Sequence, residues 1–386
     1  MILNRLSLIT ILLQLFLASV AMAEGDAQSR EPTDKKHDWV QLTSGEWLSG
    51  KIHAMYDDKL EFDSEKLDLL TIDWEDVNRL QSYQIFLVNI DEDDEQARAL
   101  KDLQLLDTLN KDDIYAGTLS VSGSDVTVTT AEGVKSFDRS NLISFAPAGE
   151  GGIDLWSAKL GLSLNVQEGY TQQIDYTAKA RAVRRTAKTR FILDYIGNLS
   201  ATGSVQTGST VTTVSNHRVN ATSNVYVTRH FFWTPFEGEY YRDPFRNIDQ
   251  RITLGAGLGY VVIDKKDMTW EVTGGPSFLS TRYISVQQGE ATSDSSFALM
   301  LGTLVETDIT EMLEFILQYD IKAAQKKAGG YSHHSIASFE YEITKHIDLD
   351  LSFLWDRTSY PTADANGNVP KLDDYRLMMG VNYSFN

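Results

Sequence analysis

Seven scattered histidines, no cysteine and an excess of carboxylates limit the chemistry open to this chain. Hydrolysis by a side-chain nucleophile needs a base and an orienting group within hydrogen-bond reach. His333-His334-Ser335 comes nearest, with Asp294 or Asn382 able to orient a histidine. No second motif fixes that geometry, and a solvated loop, with at most weak metal affinity at His333 and His334, is the plainer reading. The run Asp91-Glu92-Asp93-Asp94-Glu95 offers hard oxygen ligands but lacks the glycine-containing spacing of a calcium loop. A solvated linker fits it better. Asp364-x-Asn366-Gly367-Asn368 lacks a closing glutamate and reads as a turn. Gly255-x-Gly257-x-Gly259 has the wrong spacing for a nucleotide loop, and no helix follows it. Cysteine-ligated zinc and iron–sulfur centres are excluded. No metal or cofactor is expected.

A better organised set is ionic. Lys179, Arg181, Arg185 and Arg190 fall early in the second half of the chain, and Asp320, Glu340, Glu342, Asp348 and Asp350 fall late. If these segments enclose one lumen, opposed charges set up a transverse field that orders small solutes. Alternatively they pair and fill the lumen. A plugged or very narrow passage is the favoured reading.

Such residues must be positioned by strands. From residue 153 onward apolar and polar residues alternate with period two, as in Ile347, Leu349, Leu351, Phe353 and Trp355 against Asp348, Asp350, Ser352 and Asp356. Twelve such segments are expected, near 155–168, 171–183, 188–201, 212–227, 231–243, 249–263, 268–284, 294–306, 311–323, 334–344, 346–358 and 373–385. Each presents an apolar face of about ten residues, enough for a tilted strand to cross a bilayer. Connections after even segments are short, and those at 202–211, 285–293, 324–333 and 359–372 are long. A soluble sandwich shares the alternation but gives no reason for that difference in length. Trp156, Tyr195, Tyr260, Trp270, Trp355 and Tyr383 are candidate members of two aromatic girdles. Inward glycines such as Gly255, Gly257 and Gly259 leave room for facing side chains or for a narrow lumen.

The rest of the chain differs in charge. Residues 24–150 carry 28 acidic and 12 basic side chains, whereas 151–386 carry 26 and 22. That acidity argues against nucleic acid as a partner. Arg5, the apolar run Leu6–Val20 and Ala21-Met22-Ala23 read as a signal peptide over 1–23, too short for a spanning anchor. A disordered lead-in is expected over 24–38 and an acidic β-domain over 39–150, with two internal repeats near 39–82 and 106–147. Leu48-Ser49-Gly50-Lys51-Ile52 matches Tyr115-Ala116-Gly117-Thr118-Leu119, and Ile72-Asp73-x-x-Asp76-Val77 matches Phe137-Asp138-x-x-Asn141-Leu142. Each copy resembles a small SH3-like or Sm-like β-unit. The junction at Gly149-Glu150-Gly151-Gly152 separates this domain from a barrel over 151–386.

Gly238-Glu239-Tyr240-Tyr241-Arg242-Asp243-Pro244-Phe245-Arg246-Asn247-Ile248-Asp249, continued by Arg251 to Tyr260, resembles the outer-membrane proteins numbered 481 among domains of unknown function, also described as salt-induced outer membrane proteins. Trp270-Glu271-Val272-x-x-Gly275-Pro276 and the closing strand Tyr375 to Phe385 fit the same pattern over roughly 153–386. The resemblance implies a twelve-stranded antiparallel transmembrane β-barrel in the outer membrane, and no established activity. It departs from the usual barrel terminus in one respect, since Asn386 follows the final aromatic Phe385.

The combined expectation is all-β: a barrel preceded by a duplicated periplasmic domain. Its partners would be outer-membrane lipid, the barrel assembly machinery through the C-terminal strand, and a periplasmic protein docked on residues 39–150. A narrow small-solute pore or an envelope stress-related barrel is the leading function. A hydrolase using the His/Ser pair and a structural adaptor are the alternatives.

Overall fold

Two β-structures follow one another, built from the same alternation used in opposite senses. The computed structural model describes residues 36–56, 58–91, 114–149, 155–167, 171–204, 210–265, 267–310 and 312–385. The expected signal segment, the lead-in up to residue 35, the acidic run after Asp91 and the junction 150–152 lie outside the described residues.

The first structure is a nine-stranded sheet. It comprises β1 (Asp38–Leu42), β2 (Trp47–Tyr56), β3 (Lys59–Ser64), β4 (Asp68–Asp73), β5 (Val77–Ile90), β6 (Ile114–Ser122), β7 (Asp125–Thr130), β8 (Gly133–Asp138) and β9 (Leu142–Pro147). The order is β4-β3-β2-β1-β5-β6-β7-β8, and β9 pairs with both β2 and β5, which curls the sheet over its core. One succession of elements occurs twice. β2, β3 and β4 lead through a single 3-10 turn, Trp74–Asp76, into β5; β6, β7 and β8 lead through another, Arg139–Asn141, into β9. Gly50 and Gly117, matched in the repeat, both lie against a facing backbone carbonyl, of Asp63 and Thr129 respectively. A side chain at either would force the paired strands apart.

Arg139 joins the two copies. Its guanidinium donates to Val77 O at 2.6 Å and to Trp74 O, and lies 4.3 Å from the centre of the Trp74 ring. Burial pushes that guanidinium below its ordinary pKa. Inside, Phe62, Phe86 and Phe145 are fully buried with Ile52, Met55, Leu60, Val126 and Val128. Asp38, buried at the edge, accepts from Ile52 N at 2.8 Å, from Ser82 Oγ at 2.5 Å and from the Gln84 amide.

The second structure is a closed twelve-stranded antiparallel barrel. Its strands are β10 (Trp156–Gln167), β11 (Thr171–Arg185), β12 (Thr189–Ser204), β13 (Thr210–Tyr226), β14 (Phe231–Asp243), β15 (Ile248–Lys265), β16 (Met268–Tyr283), β17 (Ser293–Thr310), β18 (Leu313–Ala323), β19 (Tyr331–Thr344), β20 (Ile347–Thr358) and β21 (Asp373–Phe385). The last strand returns to the first, with Ala158 opposite Phe385 and Leu162 opposite Val381. Every backbone ladder therefore has a partner, as a bilayer demands.

Side chains invert the usual arrangement. Leu162, Leu377, Met379 and Phe297 stand on the outer surface at 72 to 80% exposure, while Thr281, Ser352, Asp350 and Asn382 are buried inside. An apolar exterior around a polar interior is stable only where lipid replaces water outside. Short turns gather at one end, where β11, β13, β15, β17 and β19 hand over to their successors. The loops 284–292, 324–330 and 359–372 gather at the other. Among the described residues, the long-end connection at Pro244–Arg246 is short, a 3-10 turn that leads into β15.

Candidate functional site

Ionic side chains from distant strands meet in the lumen. Arg218 on β13 donates to Glu239 on β14 at 2.5 Å and to Asp356 on β20 at 2.7 Å. Glu239 also accepts from Lys322 on β18 at 2.6 Å, and Asp356 pairs with His334 Nδ1 on β19 at 2.8 Å. Arg218 lies 4.5 Å from the centre of the Tyr241 ring, which presses its flat guanidinium into place. Five strands are thus tied through one arginine. Its fork engages two carboxylates at once, which a lysine could not do with fixed geometry.

Further pairs stand nearer the short-turn end. Arg190 and Glu271 form a bidentate contact at 2.9 and 2.7 Å. Lys179 donates to Asp350 at 2.8 Å and Ser352 at 2.6 Å, and Lys159 joins Glu340 and Asp348, the latter at 3.1 Å. Beside them Ile196, Ile336, Leu354 and Met378 form an apolar cluster within the lumen. Phe232 fills the space that Gly259 leaves open. What remains are two connected lobes of about 160 and 290 Å³, with Arg218 and His334 lining both.

The ionic residues singled out from the sequence divide by height. Lys179, Asp350, Glu340 and Asp348 meet as described. Arg181 reaches Asp194 at 3.5 Å, and Asp320 accepts from Gln318 at 2.8 Å. Glu342 shares parity with Glu340 but stands exposed near the last short turn. Among the aromatics, Trp156, Tyr260, Trp270 and Tyr383 lie near the short-turn end and Trp355 near the long-loop end. Tyr195 sits further into its strand and hydrogen-bonds His217 at 3.0 Å.

The expected loop around His333 is corrected by the fold. Strand β19 begins at Tyr331, so His333 and His334 point to opposite faces. His333 stacks on Trp355 at 5.5 Å between ring centres, whereas His334 is buried in the lumen. Ser335 donates to the Gln318 carbonyl at 3.2 Å on the side away from His334. His333 shares Ser335's face, but its Nδ1 is hydrogen-bonded with the Tyr319 hydroxyl at 2.8 Å, so neither histidine is hydrogen-bonded to Ser335. His334 is oriented by Asp356, neither by Asp294 nor by Asn382, which donates to Glu340 at 3.1 Å. Among the described residues no group of three or more metal-ligating side chains converges.

The acidic domain rests on the short-turn rim. Ser144 donates to Ala187 O at 2.5 Å, Arg229 bridges Asp58 and Asp264, and Lys345 donates to Leu67 O at 3.2 Å. Ala54, Ala146 and Ala187 pack together between these contacts, with Tyr56, Leu87 and Leu155 around them. Because the turns holding Ala187 and Lys345 lie far apart around the rim, the domain spans that mouth.

Sequence reading missed Arg218, Glu239, Lys322 and Asp356 as one unit. Glu239 stands inside the Gly238–Asp249 motif, and Asp356 shares the parity of Asp348 and Asp350, so two of the four carried a local signal. Arg218 meets Asp356 across 138 residues of chain, and no local pattern marks that meeting.

Solved structures similar to this chain include the NanC porin, at 10% identity and a TM-score of 0.35, covering 59% of this chain and 98% of that one. An outer membrane channel of the COG4313 group from Pseudomonas putida F1 aligns at 8% identity and a TM-score of 0.32, covering 59% and 93%. The translocator domain of autotransporter NalP from Neisseria meningitidis aligns at 9% identity and a TM-score of 0.34, covering 60% and 87%. No curated protein matches by sequence. The family model described as a protein of unknown function, DUF481, matches residues 160–385, more than half the chain and nearly all of the barrel. The chain belongs to the DUF481 family.

Proposed function

We propose that this protein is an outer-membrane channel for small hydrophilic solutes, held nearly shut by the Arg218 network. The observation that carries this reading is the lumen itself: lined largely by polar and ionic side chains, with two cavity lobes that share Arg218 and His334 in their walls. A barrel serving only as an anchor needs no such lining and is more stably filled with apolar side chains. The signal peptide over 1–23 would deliver the chain across the inner membrane, and the C-terminal strand would present it to the assembly machinery. Short turns then face the periplasm, as in barrels generally, and place the acidic domain there as a docking module over the inner mouth.

Planar-bilayer recording tests this directly. Wild type gives small discrete steps, and Arg218→Ala, which removes the group shared by Glu239 and Asp356, gives larger ones. A barrel that keeps its heat-modifiable gel mobility yet conducts in neither form would overturn the channel reading and favour the structural adaptor.

A further inference from the structure

The motif Tyr241 to Arg251 does more than turn the chain between β14 and β15. Asp243 accepts from Phe245 N at 3.1 Å and Arg246 N at 3.3 Å, which caps the 3-10 turn, and receives the Tyr241 hydroxyl at 2.9 Å. Asn247 adopts a left-handed conformation, φ 61°. Its side chain donates to Ser285 O at 2.8 Å and Ala363 O at 3.2 Å, tying the turn to two neighbouring loops. The result is a rigid fold that brings Arg246 to the cavity wall beside Arg251.

These two arginines differ from Arg218 and Arg190 in the same lumen. Arg218 and Arg190 each hold a carboxylate within 3 Å. Arg251, only 9% exposed, makes one side-chain hydrogen bond, from Nε to Thr281 Oγ at 3.2 Å. Arg246 donates to Thr358 Oγ at 3.3 Å and Leu372 O at 3.1 Å, both neutral acceptors. Neither has a carboxylate within ion-pair distance among the described residues. The acids around them are engaged elsewhere: Glu239 is held by Arg218 and Lys322, Asp356 by Arg218 and His334, Asp373 by Arg357, Asp249 by Arg282, and Asp243 by the Tyr241 hydroxyl and the turn it caps. A guanidinium buried without a counter-charge is costly unless an anion completes the site.

We infer that Arg246 and Arg251 form an anion subsite on the long-loop side of the constriction, taking the carboxylate or phosphate group of a small solute. Two guanidinium forks present parallel N–H donors suited to either oxyanion, and Thr281 and Thr358 hold the forks in place. The subsite deepens the channel reading and rests on it for its setting. Binding, however, is measured without conduction, so the two can fail separately.

Isothermal titration of the full chain in detergent is the test, with inorganic phosphate and acetate as probes and chloride as the ionic-strength control. Wild type binds at least one of the two oxyanions saturably. Arg251→Gln weakens that binding at least tenfold, and Arg246→Gln does so independently should the first variant fail to keep its heat-modifiable mobility. Arg282→Gln, which removes an exposed arginine away from this cavity and already paired with Asp249 at 2.7 Å, retains affinity. Phosphate binding without acetate binding assigns the site to phosphate, and the converse to carboxylate. No saturable binding by wild type, or equal affinity in folded Arg251→Gln and Arg246→Gln, would overturn the inference.

Discussion

The two halves of this chain use one alternation and reach opposite cross-sections. In the acidic domain Leu60 and Phe62 point inward and are fully buried, with Glu61 and Asp63 in water. In the barrel Leu160, Leu162 and Leu164 point outward, with Lys159 and Gly161 facing the lumen. Strand chemistry is the same, so the difference lies in the medium. A folded sheet hides its apolar face from water; a closed barrel offers it to lipid and can keep charges inside, provided each finds a partner. The energetic weight therefore shifts from packing in the first half to ladder closure and ion pairing in the second.

Substitutions should expose that shift. The largest effect is expected from Phe62→Ala, at about 3–5 kcal/mol from lost transfer energy and the cavity left behind, read as the first unfolding transition of the full chain in denaturant. Next is Leu162→Arg, which places a charge on the lipid face and should cost about 2–4 kcal/mol near the bilayer midplane, measured by folding into vesicles. Val134→Arg makes the same change at a similarly exposed position in the acidic domain and should stay within about 0.5 kcal/mol of wild type. Equal effects at Leu162 and Val134 would erase the distinction between the media.

Arg218→Ala should cost about 1.5–3 kcal/mol for each charged hydrogen bond that is lost and not replaced. Lys322 and His334 still partner the two carboxylates, so the barrel should fold but unfold at lower temperature on heated gels. The smallest effects belong where both halves meet water alike. Asp138 is held below the usual carboxylate range by the Ser140 hydroxyl and amide, and Asp364 by the Asn368 amide. Because the folded pKa of each is depressed, its contribution is present above the unfolded pKa and fades as pH falls through the folded one. Wild type minus Asp138→Asn, or minus Asp364→Asn, should show a slight stability difference at neutral pH that vanishes in strong acid.

Much of this architecture was legible locally, because strand faces are written residue by residue. Leu349, Leu351 and Phe353 against Asp348, Asp350 and Ser352 announce both a strand and its two environments. Gly50 and Gly117 stand out for a similar reason: each meets a facing carbonyl, so glycine is required at both positions. The lumen network was not, because pairing across a barrel depends on curvature and register. Nothing near Arg218 indicates that Asp356 faces it. The start of β19 was hidden by the inversion itself. Lumen-facing residues are polar, so Ser332 and His334 at a strand's beginning look like loop. Nor does either sequence half indicate that Ser144 and Lys345 join the acidic domain to the rim.

A chain without cysteine allows the inverted faces to be read one residue at a time. Single cysteines at 160, 161, 162, 163 and 164, each carrying a fluorophore, are folded into vesicles whose acyl chains bear a quencher. Inverted faces require strong quenching at 160, 162 and 164 and little at 161 and 163. Quenching that does not alternate, or none at any of the five, would contradict a lipid-facing apolar stripe and with it the transmembrane barrel.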